Sequence, residues 1–152
     1  MTRRAGPVRP PAYPETRYGP PPLSDFGDRD TRARLSGAAL RGFFNLVDRW
    51  RLRDEDARVL LGGLSSSVYY EWKKAPETRE LAPDQLTRVS YLVGLYKALH
   101  VLYGDALADD WIRLPNRNPV FAGRSPLDYL LAGGLPAFDT VRRLLDARRG
   151  GG

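Results

Sequence analysis

From Leu35 onward, apolar residues recur at three- and four-residue steps, which is the spacing of one face of an α-helix. Leu40, Phe43, Phe44, Val47 and Trp50 follow Ser36, the expected cap, and form a first amphipathic stripe. Asp54 is the expected N-cap of a short second helix. Glu55 and Asp56 suit the positive end of its dipole, Val59, Leu60 and Leu61 supply its apolar face, and Gly62 and Gly63 stop it. Ser65 caps a third helix whose inward residues are Val68, Tyr69 and Trp72 and which ends at Lys73 and Lys74. Pro83 and Asp84 start a long helix. From Leu86 to Tyr103 its apolar residues cover more than one stripe, so it is expected to be buried between layers or at an interface, and Gly104 ends it. A segment from Ala106 to Leu114 and a Pro/Asn/Gly loop to Gly123 follow. Ser125 and Pro126 then open a short helix that Gly133 and Gly134 end, and a last helix from about Pro136 to Arg148 presents Phe138, Val141, Leu144 and Leu145. No stretch reads as a strand and no repeat is present.

Before Leu35 there is no such period. Seven of the 13 prolines lie before Leu23, and the polar run to Arg34 continues in the same character, so residues 1–34 read as a disordered or polyproline-II tail.

Composition narrows the chemistry. The 152 residues contain no cysteine and one histidine, His100, which excludes disulfides, thiol nucleophiles and Cys- or His-based metal clusters. No apolar run suits a membrane span or a secretory signal, so no membrane association and a cytoplasmic location are expected. The net charge of +6 is spread out: seven arginines against four acids in 1–34, eight bases against seven acids in 35–80, and nine against seven in 81–152. Nucleic-acid binding would therefore depend on local geometry rather than on a polybasic block.

Such geometry is suggested by Asp54 to Lys74, two short helices meeting at a Gly-containing turn, the plan of a helix-turn-helix. With Leu64, Tyr69 and Trp72 packing inward, Ser66, Ser67, Tyr70, Lys73 and Lys74 point outward as candidate DNA contacts, hydroxyls toward bases or phosphates and lysines toward phosphates. A solvated polar face on two packed helices accounts for the same pattern. Val59 stands where this motif usually has a small residue, Gly62 where it usually has an apolar one, and Glu71 brings a negative charge toward any phosphate.

The order helix-turn-helix, long apolar helix, small Trp- and Leu-rich domain resembles the Xre/MbcA/ParS antitoxin family over about Leu35 to Gly150. The most specific likeness is in GDALADDWIRLPNRNPVFAGRSPLDYLLAGGLPAFDTVRRLLDARRG, where Trp111, Pro115-Asn116, Gly123, Ser125-Pro126-Leu127, Leu130 and the Val141, Leu144, Leu145 stripe match together. SSSVYYEWKK is similar to the family's recognition helix. Pattern and resemblance together lead to an all-α fold: the tail (1–34), which departs from the shorter family pattern, then an Xre-like helix-turn-helix domain (35–82), and a linking helix with a small helical toxin-binding domain (83–152). The resemblance also implies a non-enzymatic antitoxin of a type II system that blocks the nucleotide pocket of a RES-domain, NAD-consuming toxin encoded in the same operon. Repression of that operon through operator DNA, and a homodimer or larger complex with toxin, belong to the same picture. A stand-alone transcription regulator whose C-terminal domain only dimerises is the rival.

Within this reading, Pro126, Leu127, Tyr129 and Leu130, with Arg142, Arg143, Arg148 and Arg149, are the candidate toxin contacts. Helix-dipole stabilisation explains the arginines equally well from sequence; the resemblance favours guanidinium groups entering a phosphate-binding pocket. No catalytic residue, cofactor or metal is expected: His100 lacks converging partners and reads as structural, and Asp109 and Asp110, about 100° apart on a helix, read as solvated charges. Trp111 reads as a core anchor.

Overall fold

Helix α1 (Arg29–Arg49) begins upstream of the expected start in a computed structural model that describes residues 27–150. Asp28 is its cap, accepting from the Thr31 amide at 3.2 Å and from the Thr31 hydroxyl at 2.6 Å. The Pro-rich segment expected to be extended lies outside the described residues as far as Phe26, but its end is helical from Arg29. Ser36 is therefore not a cap. It is fully buried inside α1, donating to the Arg32 carbonyl at 2.6 Å and accepting from the Leu81 amide at 2.9 Å. A hydroxyl within one turn of a backbone carbonyl can bond back to it, so Ser36 sits in a helix interior without an unmet donor.

Leu40, Phe43, Leu46, Val47 and Trp50 form the buried stripe of α1. The helix closes with Arg51 in the left-handed region (φ 53°) and the Leu52 amide bonded to the Val47 carbonyl at 3.0 Å. Helix α2 (Asp54–Leu60) and helix α3 (Ser66–Lys74) follow. Asp54 is not the cap of α2 but its first residue, after Arg53 at the cap position, because its carboxylate is taken by the Tyr69 and Tyr70 hydroxyls rather than by backbone amides. Between the two helices Gly62 (φ 99°) and Gly63 (φ 90°) adopt conformations that a side chain disfavours, and the Gly63 amide bonds to the Arg58 carbonyl at 2.8 Å. The positive φ at Gly62 disfavours the usual apolar residue there, and a Cβ would in addition lie 3.3 Å from Arg88 Nε, which would have to give way slightly. Arg58 Nε completes the turn by donating to the Leu64 carbonyl at 2.8 Å.

Helix α4 (Pro83–Trp111) has its first turn stabilised by the Gln85 side chain, which accepts from the Ala82 amide at 2.9 Å. Leu86, Val89, Leu92, Leu95, Ala98 and Leu99 are all buried. Its two apolar stripes are both used, one against α1 and the other against α6 (Leu135–Arg149). The break expected at Gly104 is present as φ 77°, ψ 173°, a region open in practice only to glycine, after which the chain is helical again to Trp111. Helix α5 (Pro126–Gly133), capped by Ser125, packs on α6 and reaches α2, so the two halves of the described chain share one core. No strand occurs among the described residues.

Candidate functional site

The candidate contacts fall on two surfaces. On the first, the Ser65 hydroxyl caps α3 by accepting from the Val68 amide at 3.3 Å, and Tyr69 is driven fully into the core against Phe44, ring centroids 5.6 Å apart. Ser66, Ser67, Tyr70, Lys73 and Lys74 are exposed. Ser67, Tyr70 and Lys74 lie about 100° or more around the helix from Tyr69, whereas Ser66 and Lys73, three and four residues away, flank its face at the two ends of α3. Glu71 is exposed as well. Two inward assignments need correction: Val68 is 37% and Val59 46% exposed. Both sit one step off the buried positions Tyr69 and Leu60, and the helices are too short for two buried faces.

The group that organises this surface lies on α2. Asp54 accepts from the hydroxyls of Tyr70 at 2.5 Å and Tyr69 at 3.1 Å, and its Oδ1 is 3.4 Å from Lys73 Nζ. The Tyr70 hydrogen bond, aided by those of Tyr69 and Lys73, holds the Asp54 carboxyl below the ordinary aspartate range. The same bond pushes the Tyr70 phenol up, while burial is the main cause of the upward shift at Tyr69. Sequence reading treats Asp54 only as a helix-start residue; nothing local indicates that partners 15 and 16 positions away would converge on it.

The second surface is built by the C-terminal elements. Tyr103, Trp111, Phe121 and Tyr129 form a ladder: Tyr103 stacks on Trp111 at 6.3 Å, and Phe121 meets Trp111 at 6.0 Å and Tyr129 at 5.4 Å edge-on. Trp111 is 8% exposed, a core anchor as expected. The candidate contacts divide. Pro126 and Leu130 are buried, whereas Leu127 and Tyr129 are half-buried. Arg142 is also buried: its Nε is 3.3 Å from Asp146 Oδ2, and burial pushes its guanidinium below the usual arginine range. It lies on the Val141 and Leu145 side of α6, so Pro126, Leu130 and Arg142 support the surface from within. Arg143 is exposed and paired with Asp139 at 2.7 Å, Arg148 is exposed with Nη1 2.6 Å from the Tyr103 hydroxyl, and Arg149 is half-buried.

Sequence reasoning missed the loop before α5. Arg113, Arg117 and Arg124 are exposed beside Leu114 (50%) and Val120 (36%), with no acid between Asp110 and Asp128. Arg124 lies over the Tyr129 ring at 5.7 Å. The acid-free run was visible in the sequence; the exposure of its apolar residues was not.

His100 packs structurally: its Nδ1 is 2.9 Å from the Tyr96 carbonyl one turn earlier, its ring centroid is 4.2 Å from that of Tyr96, and its Nε2 faces Asp109 Oδ1 at 3.2 Å beyond Gly104. Asp109 and Asp110 are not merely solvated. Asp109 also pairs with Arg49 at 3.7 Å and Asp110 with Arg51 at 3.2 Å, joining the far end of α4 to the end of α1. No group of three or more His, Asp or Glu able to hold a metal occurs among the described residues, and no helix there is long and apolar enough to cross a membrane.

Residues 31–94 match the antitoxin Xre-like helix-turn-helix domain, and residues 97–151 match the antitoxin Xre/MbcA/ParS C-terminal toxin-binding domain. Over 115 residues the chain is 44% identical to Uncharacterized protein y4oB of Sinorhizobium fredii (strain NBRC 101917 / NGR234), covering 75% of this chain and 86% of that one. No solved structure matches.

Proposed function

Since the chain belongs to the Xre antitoxin family and carries both of its domains, we propose that it neutralises a RES-domain, NAD-consuming toxin encoded beside it and represses their shared operon. The observation that carries this reading is the pairing, on one shared core, of a capped recognition helix with a basic, partly exposed C-terminal helix end. In this reading Leu127, Tyr129, Arg143, Arg148 and Arg149 meet the toxin, while Pro126, Leu130 and Arg142 hold that surface in shape. Arginine suits a pocket made for dinucleotide phosphates because its planar fork donates two parallel hydrogen bonds. The protein acts by binding, without chemistry of its own, and is proposed to work in the cytoplasm.

We further propose self-association through α4, where Val101 (54%) and Leu107 (49%) leave apolar surface exposed on either side of Gly104. Co-expression with the adjacent toxin gene, followed by affinity purification and light scattering, is expected to yield a stable complex with at least two copies of this chain. Purification of this chain alone, as a monomer, would overturn both parts.

On the DNA side, replacing Lys73 and Lys74 together with Ala is expected to weaken operator binding about tenfold and make its log–log salt dependence shallower by about 2, as for two lost phosphate contacts. Substitutions at Ser67 should instead change sequence preference. Fluorescence anisotropy across a salt series measures both, and an unchanged salt slope would remove the lysines from the interface.

A further inference from the structure

We propose that Asp54, which lies outside the recognition helix, is the positioning residue for sequence discrimination: it orients Tyr70 toward the DNA and withholds Lys73 from indiscriminate phosphate binding. The inference deepens the DNA-binding reading and rests on it.

Three donors from α3 converge on this one carboxylate. Tyr69 is fully buried, so its hydroxyl fixes where the carboxylate stands. The phenol of Tyr70, 44% exposed, is held by the other oxygen, so an aromatic side chain that would otherwise sample several rotamers on a helix surface is fixed in direction. With its one hydrogen donated to Asp54, the fixed phenol offers its oxygen as an acceptor; an acceptor held in place loses less freedom on binding and tolerates fewer wrong base edges, which is how positioning becomes discrimination. Lys73 Nζ lies near the same carboxylate, so a phosphate has to compete with Asp54 for it. The cost is uniform across DNA sequences: a fixed negative charge near the phosphates lowers affinity for any duplex and leaves the relative contribution of base contacts larger. Like any aspartate, Asp54 is ionised in the neutral range, and its hydrogen bonds lower its carboxyl further, so that charge persists there.

The test uses the full chain and two duplexes, one from the region upstream of its own operon and one of the same composition in shuffled order. Asp54→Asn is expected to raise affinity for the shuffled duplex severalfold and to lower the preference for the upstream duplex by about fivefold or more. Tyr70→Phe, a change at an exposed position that leaves the ring, is expected to lose the preference without the gain on shuffled DNA. In the double variant the loss of preference should be no greater than in Asp54→Asn alone, because both changes remove one coupled interaction. A merely structural role for Asp54 would lower affinity for both duplexes together with thermal stability, and that result overturns the proposal. So does a wild type that discriminates while Tyr70→Phe discriminates equally well, a measurement that does not depend on the folding of Asp54→Asn. A wild type that binds neither duplex, alone or with the toxin, instead overturns the DNA-binding reading itself and this inference with it.

Discussion

Phe121→Ala is expected to destabilise the protein by about 3–5 kcal/mol, the usual cost of removing a buried phenyl ring whose surroundings cannot collapse into the cavity. Phe121 is fully buried and stands between Trp111 and Tyr129, meeting both edge-on. It belongs to a one-turn 3-10 segment (Pro119–Phe121) inside a loop with little other burial, so the position of the loop depends on this ring. Alanine would remove both aromatic contacts and leave Arg124, which donates to the Phe121 carbonyl at 3.2 Å, on a loosened backbone. In a thermal melt the loss should lower the midpoint by on the order of 10 °C or more. Toxin binding should weaken with it, while DNA binding by the stable fraction should persist. A stability change below about 1 kcal/mol would mean that the C-terminal domain does not rest on the ladder.

Replacing Arg148 and Arg149 together with Ala is expected to raise the inhibition constant against the partner toxin by an order of magnitude or more, since arginines desolvated at an interface rank among its strongest contributors. The stability effect should be much smaller. Arg148 is exposed, and its bond to the Tyr103 hydroxyl connects two side chains that water can serve in its absence. That contrast separates inhibition from folding. NAD turnover by purified toxin, titrated with each variant beside a binding assay on the same samples, makes the measurement. Full inhibition by the double variant would mean that the toxin is blocked through another surface, for which the Arg113, Arg117 and Arg124 loop is the next to test. The same changes at Arg3 and Arg4 serve as a charge-matched control and are expected to have no comparable effect.

The division of the candidate contacts follows from packing rather than from residue type. Arg142 and Arg143 are neighbours of identical chemistry, yet one is buried and the other exposed, because the 100° step between them carries the first toward Val141 and Leu145. Pro126 and Leu130 match the family pattern because the core requires them. Matching a pattern does not distinguish a residue that makes a contact from one that shapes the surface making it.

What the sequence by itself determined is the all-α class, the caps at Ser65 and Ser125, the glycine turn between α2 and α3, the break at Gly104 and the two-sided burial of α4. These depend on interactions within about four residues or on the helical period, so they can be read along one dimension. Tertiary structure alone decided that Ser36 serves the Leu81 amide across 45 positions, that Arg51 pairs with Asp110 across 59, that Arg148 reaches Tyr103 across 45, and that Asp54 gathers three groups of the recognition helix. Polar side chains of this kind have many partners of similar energy in an unfolded chain. Which pair forms is settled only when burial of Tyr69, Trp50 and the α4 stripes has brought the helices together, because the choice depends on a geometry that hydrophobic packing imposes.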